Sequence, residues 1–286
     1  MFIIVGIVFV LLCVAGGFAM MKGPFGALFQ PSELVVIGGA CIGATIAANP
    51  LKFLMMLTKS LPVALKGSLY NKAVYTDVLR MQYDIFVNAK KNGLLSLEED
   101  VNNPHSSALF TKYASFVHNH HAVDFFCDAM KMLVNGACSP EELEMMLDTE
   151  LETHHEEAAI SPGILTRASE SLPGLGIVAA VLGIVVTMQH LDGPPEELGH
   201  HVGAALVGTF LGLLFSYGMI TPIAANLENL GKDEGKYYSC LKTGIVAFAF
   251  GAAPSTAVEF ARKTIYSFDR PTTEELEPLL KEIKPR

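Results

Sequence analysis

The sequence predicts an all-α membrane protein with four transmembrane helices, a helical cytoplasmic domain between spans two and three, and a cytoplasmic C-terminal tail. Three observations predict this fold class: an apolar composition, four long uncharged runs and an uneven distribution of basic residues. Of the 286 residues, 51% are hydrophobic and 17% are charged, and the mean hydropathy is +0.39. Because soluble domains carry about 25% charged residues, the apolar excess indicates membrane spans.

Four stretches of the sequence lack Asp, Glu, Lys and Arg, and a helix of about 20 apolar residues crosses the bilayer core. The four runs are residues 1–21, 34–51, 171–191 and 198–227. The second run is the shortest, and we expect its helix to continue beyond Lys52 into FLMML. The first run lacks a basic leading region, which favours a retained helix over a cleaved signal peptide.

The basic residues predict the orientation of the chain. Ten of the 20 Lys and Arg residues lie between Lys52 and Arg167, nine lie from Lys232 onward, and Lys22 lies in a short connection. Because cytoplasmic loops carry the excess of Lys and Arg, both termini are predicted to be cytoplasmic. A fifth span near Pro254 is a less favoured alternative, because that apolar stretch is short and interrupted.

The four spans divide the chain into predicted domains. The domains are transmembrane helices one and two in 1–56, a cytoplasmic helical domain in 57–168, a transmembrane hairpin of helices three and four in 169–227, and a cytoplasmic C-terminal region in 228–286.

Several classes of function are disfavoured by composition. The net charge of −9 argues against a nucleic-acid partner. The five cysteines form no C-x-x-C pair, so neither a disulfide framework nor a zinc site is predicted. Glu150 and His154 have the spacing of metal ligands, but without a second pair a solvated acidic helix face is preferred. With no nucleophile–base arrangement and no P-loop, we expect neither an enzyme nor a bound cofactor.

The segment PGLGIVAAVLG, residues 173–183, imitates a dinucleotide-binding fingerprint, with Asp192 further along the chain. A phosphate loop requires a strand before its first glycine, whereas the preceding LTRASESL is polar and typical of a helix end or cap. Small residues four apart instead allow membrane helices to approach closely. They predict a tightly packed hairpin of spans three and four. Span three has the pairs Gly176 and Ala180, and Ala179 and Gly183, and span four has Ala204, Gly208 and Gly212.

Two prolines lie near the predicted cytoplasmic ends of the hairpin. Pro173 is expected to open span three, where its missing N–H would be unpaired in any case. Pro222 is expected near the end of span four, where it removes a helical hydrogen bond and allows a kink. Plain helix punctuation is the alternative interpretation of both residues.

None of the four runs contains a carboxylate, although intramembrane ionisable residues normally mark proton relays. If the chain moves ions, the sequence therefore predicts that a partner supplies the titrating group. Thr209 in span four is a polar candidate for facing that partner or a water. A hydrogen bond back to its own helix is the alternative.

The predicted cytoplasmic domain contains an exposed turn between two helices. An amphipathic helix is expected to end at Gly93, and Ser96 with Glu99 has the spacing of a capping box. Lys90 then ends one helix and Glu98 begins the next. The opposite charges either complement the helix dipoles or form an electrostatic docking surface.

Nearly the whole chain resembles MotA, the ion-channel subunit of the bacterial flagellar stator. The resemblance rests on GALFQPSELVVIGGACIGA, LLSLEEDVNNP, MLDTELETH, SLPGLGIVAAVLGIV, VGTFLGLLFSYGMITPIA and AVEFARKTIYSFDRP. The hairpin segments are similar to those of ExbB and TolQ, which energise outer-membrane processes and are the alternative. Two spans ahead of the cytoplasmic domain favour MotA. A membrane scaffold without ion flow is a further alternative.

The resemblance implies a multi-pass protein of the bacterial inner membrane. It implies a homopentameric ring of MotA subunits around two MotB helices, with MotB supplying the membrane aspartate. Ion flow would rotate the ring and exert torque on the rotor protein FliG. The transported ion, and no resident cofactor, is expected.

The resemblance also implies roles for individual residues. Pro173 and Pro222 match the prolines that couple ion flow to movement, and Thr209 matches the pore-facing threonine. Ala180 stands where sodium-driven relatives have threonine, which favours H+ over Na+ as the ion. Two rotor-binding positions match as well. Glu98 matches the acidic contact residue. Lys90 stands where many relatives have arginine, so its positive charge is retained but the bidentate hydrogen-bonding geometry of arginine is not.

Overall fold

The computed structural model describes residues 2–189 and 194–283. These residues form α-helices joined by short 3₁₀ and π segments, with no strand in the described chain, which confirms the predicted all-α class. Asp192 of the fingerprint interpretation lies outside the described residues. The chain divides into two compact units: Met1–Gly67 with Ala158–Leu230, called the membrane unit below, and Ser68–Glu157 with Gly231–Arg286, called the second unit.

Four helices of the described chain are long and apolar enough to cross a membrane, the number that the sequence predicts. Their exposed apolar side chains cannot be stable in water in such number, so this surface needs lipid or protein around it. The helices are Phe2–Met20, Phe25–Ala48, Pro140–Met188 and His201–Ala249.

The second span differs from the expected one. Its last helical segment, Ala40–Ala48, ends at an extended Asn49, and Pro50 precedes a separate helix, Leu51–Lys66. The residue before a proline is disfavoured in the helical conformation, so the prediction that span two continues past Lys52 is wrong. The span instead begins earlier and includes a carboxylate, Glu33. Its helix passes through a π-helical turn immediately afterwards, Val35–Gly39.

The third span belongs to one continuous helix, Pro140–Met188, whose N-terminal part is acidic and whose C-terminal part is apolar. Pro173 lies in the interior of this helix, so the prediction that it opens the span is wrong. The polar residues before Pro173 continue the same helix instead of capping a new one. A proline inside a helix leaves the carbonyl four residues earlier without its helical N–H donor, which here is the carbonyl of Ser169.

The fourth span is a helical path of three parts: Pro195–Phe215, a π-helical turn Ser216–Ile220, and Thr221–Ala249. Pro222 is the second residue of the last part, directly after the π turn. That part ends at Ala249, and the next helix begins with Pro254. Pro254 therefore starts a short helix, and the fifth-span alternative finds no support in the described chain.

The second unit has a core of aromatic and aliphatic side chains. Phe110, Phe116 and Phe126 are buried with ring centroids 5.8–6.1 Å apart, distances at which ring pairs attract each other. Gln82 is also buried, and its amide donates to the Cys240 carbonyl at 3.2 Å. The shorter helices around this core are Lys72–Asn92, Glu98–Asn102, Ala114–Val117, His120–Val134, Pro254–Thr264 and Thr273–Lys281.

The turn after the first of these helices is partly as predicted. Gly93 ends the helix with φ of 86°, which confirms its expected role, because glycine adopts positive φ without strain. The capping box at Ser96 is wrong. Ser96 lies inside a 3₁₀ turn and its hydroxyl donates to the Gly93 carbonyl at 2.7 Å. Glu98 begins the next helix without a side-chain cap.

Candidate functional site

The backbones of spans three and four approach closely at three glycines of the membrane unit. A Cβ atom on Gly176 would lie 2.8 Å from the Gly208 carbonyl oxygen and 3.2 Å from the Gly212 Cα. A Cβ atom on Gly212 would lie 2.6 Å from the Leu172 carbonyl oxygen. Backbone atoms cannot move aside as a flexible side chain can, so any larger residue here separates the helices.

The contact continues along span three to Gly183. A Cβ atom there would lie 2.8 Å from the Ala205 Cβ, and Ala205 is buried. The residue on span four that meets Gly183 is thus one that the four-residue spacing did not select. Gly174 in the same segment has open space around it and takes no part in the contact.

The two predicted ion-pathway residues lie along this contact. The backbone nitrogen of Ala180 is 3.2 Å from the position of a Cβ on Gly208, and the Cα of Thr209 is 3.3 Å from that of a Cβ on Gly176. Both residues are half-buried. Because the two helices are close at these glycines, Ala180 and Thr209 lie next to the contact on facing helices. Their part in ion passage stays a prediction.

A cluster of three hydroxyls, with Ser169 and Ser216 buried and Thr221 exposed, lies between the segments that carry the two prolines. The Ser169 hydroxyl lies 3.0 Å from the Ser216 hydroxyl and 2.6 Å from the Thr221 hydroxyl, and it donates to the Ser216 carbonyl at 3.2 Å. Ser169 stands one turn before Pro173, and Thr221 directly precedes Pro222. Ser216 is the first residue of the π-helical turn. Ser169 was not among the site residues predicted from the sequence, although a serine four residues before a proline is a signal for it.

Glu33 is a second candidate site residue that was not predicted from the sequence. Its side chain is 7% exposed, and its Oε2 atom has no hydrogen-bond partner among the described residues. A Cβ atom on Gly208 would lie 2.5 Å from this oxygen. The signal was present in the sequence, since Glu33 is the one charged residue between Lys22 and Lys52.

The predicted rotor-binding residues lie in the second unit, on either side of Gly93. Lys90 is exposed in the last turn of Lys72–Asn92, and Glu98 is exposed in the first turn of Glu98–Asn102. Each charge opposes the sign of its helix end. Exposure is what a docking residue needs, so both interpretations of the pair remain open.

Most carboxylates of the acidic helix around His154, including Glu150, are exposed as predicted for a solvated face, whereas His154 itself is half-buried. The His154 ring packs on the Tyr238 ring with centroids 4.4 Å apart, beside a cavity of about 390 Å³. Burial lowers the pKa of the His154 imidazole, while the nearby Glu234 carboxylate opposes that shift. Within the described residues, no group of three His, Cys, Asp or Glu side chains is arranged to hold a metal ion.

Two segments of the chain match known protein families. Residues 4–93 match the family described as Motility protein A N-terminal, and residues 118–239 match the MotA/TolQ/ExbB proton channel family. Together with the four spans, these matches define a multi-pass helical membrane protein of the proton channel class.

Curated relatives narrow this class. The chain is 39% identical to Motility protein A of Escherichia coli (strain K12) over 284 residues, covering 99% of this chain and 96% of the relative. It has the same identity and coverage with Motility protein A of Salmonella typhimurium. A chain of the C. jejuni MotAB structure has the same fold, with a TM-score of 0.79 and 22% identity over 94% of this chain and 98% of that one. The chain belongs to the motility protein A family.

Membership of this family makes the chain a flagellar stator subunit of the proton channel class and not an enzyme. Flagellar stator function is therefore favoured over the ExbB/TolQ alternative.

Proposed function

We propose that the hairpin of spans three and four forms, together with MotB, an ion channel whose ion flow rotates a ring of these subunits. The observation that carries this proposal is the close contact of Gly176 with Gly208 and Gly212, because it brings Ala180 and Thr209 to facing helices. A threonine hydroxyl supplies a donor and acceptor in an otherwise apolar wall.

A MotB dimer is the proposed partner, and it supplies the membrane aspartate that binds and releases the ion. Solved structures of the same fold are MotAB complexes, which supports this pairing. A face of span three is left apolar and exposed in the single chain, including Ile177, Val181 and Val185. Neighbouring subunits and partner helices would cover such a face, in keeping with a homopentameric ring around two MotB helices.

The proposed orientation places both termini in the cytoplasm of a bacterial inner membrane. Residues 57–168 then form the cytoplasmic domain and residues 228–286 the cytoplasmic C-terminal region. The excess of Lys and Arg in these two segments supports this arrangement.

In the proposed mechanism, Pro173 and Pro222 convert the protonation of the partner aspartate into movement of the hairpin. Each breaks the regular helical hydrogen bonding, and the hydroxyl cluster at Ser169 lies between their segments. The movement reaches the rotor protein FliG through Lys90 and Glu98, whose exposed charges are available for electrostatic docking.

The proposed ion is H+. Ala180 offers no hydroxyl oxygen to replace a water of a sodium ion, whereas a proton needs no coordination shell. The test is swimming of cells that carry this chain with its partner as their sole stator. We expect motility to collapse with a protonophore and to persist without sodium. Motility that needs sodium and resists the protonophore would overturn the ion assignment.

Coupling to the partner is tested by co-expression of this chain with MotB, the proposed partner that carries the membrane aspartate. Purification of the complex followed by imaging should give a ring around two helices. Proton flux in liposomes should disappear when that aspartate is replaced by asparagine. A complex that assembles but conducts no protons would support the scaffold alternative instead.

A further inference from the structure

Glu33 is a buried carboxylate inside the second span. Its side chain is 7% exposed, and Oε2 lies without a hydrogen-bond partner in the described part of the chain. An ionised carboxylate buried without a partner is strongly disfavoured, and the group takes up a proton instead. Glu33 therefore has the environment of a site that binds a proton inside the membrane.

The carboxyl group faces the hairpin of the proposed ion pathway. Gly208 has no side chain, and a Cβ there would stand 2.5 Å from Glu33 Oε2 and 3.1 Å from the Ala179 Cβ. The absence of a side chain at Gly208 thus leaves the space that the carboxyl group occupies. Thr209 is the next residue along the same helix.

The described parts of the hairpin offer Glu33 no Lys or Arg that would hold it ionised. In the described parts of spans three and four, residues 171–189 and 198–227, there is no Asp, Glu, Lys or Arg. Besides Glu33, the titratable groups with described side chains are Cys41 on span two and His201 and Tyr217 in these two ranges. The apolar cluster around the site consists of Ile37, Leu172, Ala179, Val207 and Leu211.

The backbone next to Glu33 is also unusual. The π-helical turn Val35–Gly39 begins two residues later, and π turns inside α-helices occur frequently at functional sites. Intramembrane carboxylates are costly and mark ion pathways and proton relays. The position of Glu33 therefore combines a titratable group, the absence of a side chain at the facing Gly208 and a local irregularity of the helix.

We propose that Glu33 is an accessory proton-binding site of this chain, lying behind Gly208 in the membrane unit. It takes up a proton to become the neutral acid and releases it to return to the carboxylate, so that charge balances at each step. In the proposed orientation it lies in the outer half of span two, and it collects protons from the outer side for the partner aspartate. This inference rests on the proposed ion-channel function.

The test measures proton flux through the complex of the full chain with its partner in liposomes, from acidic to alkaline external pH. Glu33→Gln keeps the shape of the side chain and cannot bind a proton. We expect flux through this variant to fall several-fold at alkaline external pH, where protons are scarce, and to approach that of the natural complex at acidic pH. Glu33→Asp retains a carboxyl group and should restore most of the alkaline flux.

The matched control is Glu141→Gln, which removes an exposed carboxylate outside the apolar part of the third-span helix. Its pH profile should coincide with that of the natural complex. The role of Glu33 would be overturned if the natural complex conducts protons and the Glu33→Gln complex has the same flux at every pH.

A second readout keeps the inference separate from the channel proposal. The infrared difference spectrum between the natural complex and Glu33→Gln should contain a carboxylic acid band that shifts in heavy water. If the natural complex conducts no protons, the channel proposal fails, and this band still decides whether Glu33 binds an exchangeable proton. Absence of the band would show that Glu33 holds no proton and would overturn the inference.

Discussion

Gly176 and Gly212 face each other across the hairpin without room for a side chain on either. A Cβ on Gly176 would lie 3.2 Å from the Gly212 Cα, and a Cβ on Gly212 would lie 3.0 Å from the Gly176 Cα. The closeness is therefore reciprocal and involves backbone on both sides. In lipid, where apolar side chains gain nothing by leaving the solvent, such packing is a main source of helix association.

Gly176→Ala should weaken the complex. Alanine improves helix propensity by about 0.5–1 kcal/mol, but overpacking a tight contact costs about 1–3 kcal/mol, so the loss should exceed the gain. We expect a lower melting temperature of the purified complex and slower swimming. The control is Gly174→Ala in the same helix, where a Cβ meets nothing within 4 Å. Equal effects of the two substitutions would show that close packing does not matter here.

This contact could be predicted from the sequence, because small residues four positions apart can be recognised without a structure. It did not predict the features that depend on where a helix continues. Pro173 was expected at a helix start, since the polar segment before it resembles a cap, whereas the helix runs through it from Pro140. Glu33 was left outside span two because the prediction began the span at the first uncharged residue. Whether a helix continues through Pro173, and whether Glu33 lies inside a span, depends on packing against neighbouring helices, which is a tertiary effect.

Pro173→Ala should abolish motility while leaving association with the partner intact. Alanine supplies the N–H that proline lacks, which allows the Ser169 carbonyl to regain a helical hydrogen bond and stiffens the helix. Swimming and co-purification with the partner measure the two properties separately. Pro162→Ala is the matched control, because Pro162 also lies inside this helix but outside its apolar part. Normal swimming of Pro173→Ala would refute the coupling role.

Ser169→Ala should disturb the hydroxyl cluster that lies between the two proline segments. The Ser216 and Thr221 hydroxyls lose a partner within hydrogen-bond distance, and losing such a bond costs about 0.5–1.5 kcal/mol. We expect a small loss of thermal stability and a larger loss of torque. The control is Ser171→Ala, because the Ser171 hydroxyl lies outside the cluster: it donates to the Ala168 carbonyl of its own helix at 2.7 Å and lies 3.8 Å from the Cys41 thiol. If the torque of Ser169→Ala equals that of Ser171→Ala, the hydroxyl cluster has no part in the mechanism.

Glu98→Lys should reduce torque without impairing membrane assembly. Glu98 is exposed, and exposed substitutions usually change stability by only about 0.5 kcal/mol, so the effect should appear in rotor docking. Rotation speed of tethered cells under load measures it. Glu99→Lys is the matched control, because Glu99 is exposed in the same first turn. Similar slowing by both variants would indicate a general charge effect instead of a specific contact.

The ion pair of Glu259 and Arg262 should make the second unit less stable in acid. Arg262 is buried and donates to both carboxylate oxygens of Glu259 at 2.7 Å. This hydrogen bonding holds the pKa of the Glu259 carboxyl below its ordinary value. A depressed folded-state pKa means that the stabilisation is present above the unfolded pKa and is lost as the pH falls through the folded one. The melting temperature of the complex should therefore fall less steeply as the pH is lowered in Glu259→Gln than in the natural chain. The control is Glu274→Gln, which removes an exposed carboxylate of the same unit and should leave the dependence of the melting temperature on pH unchanged.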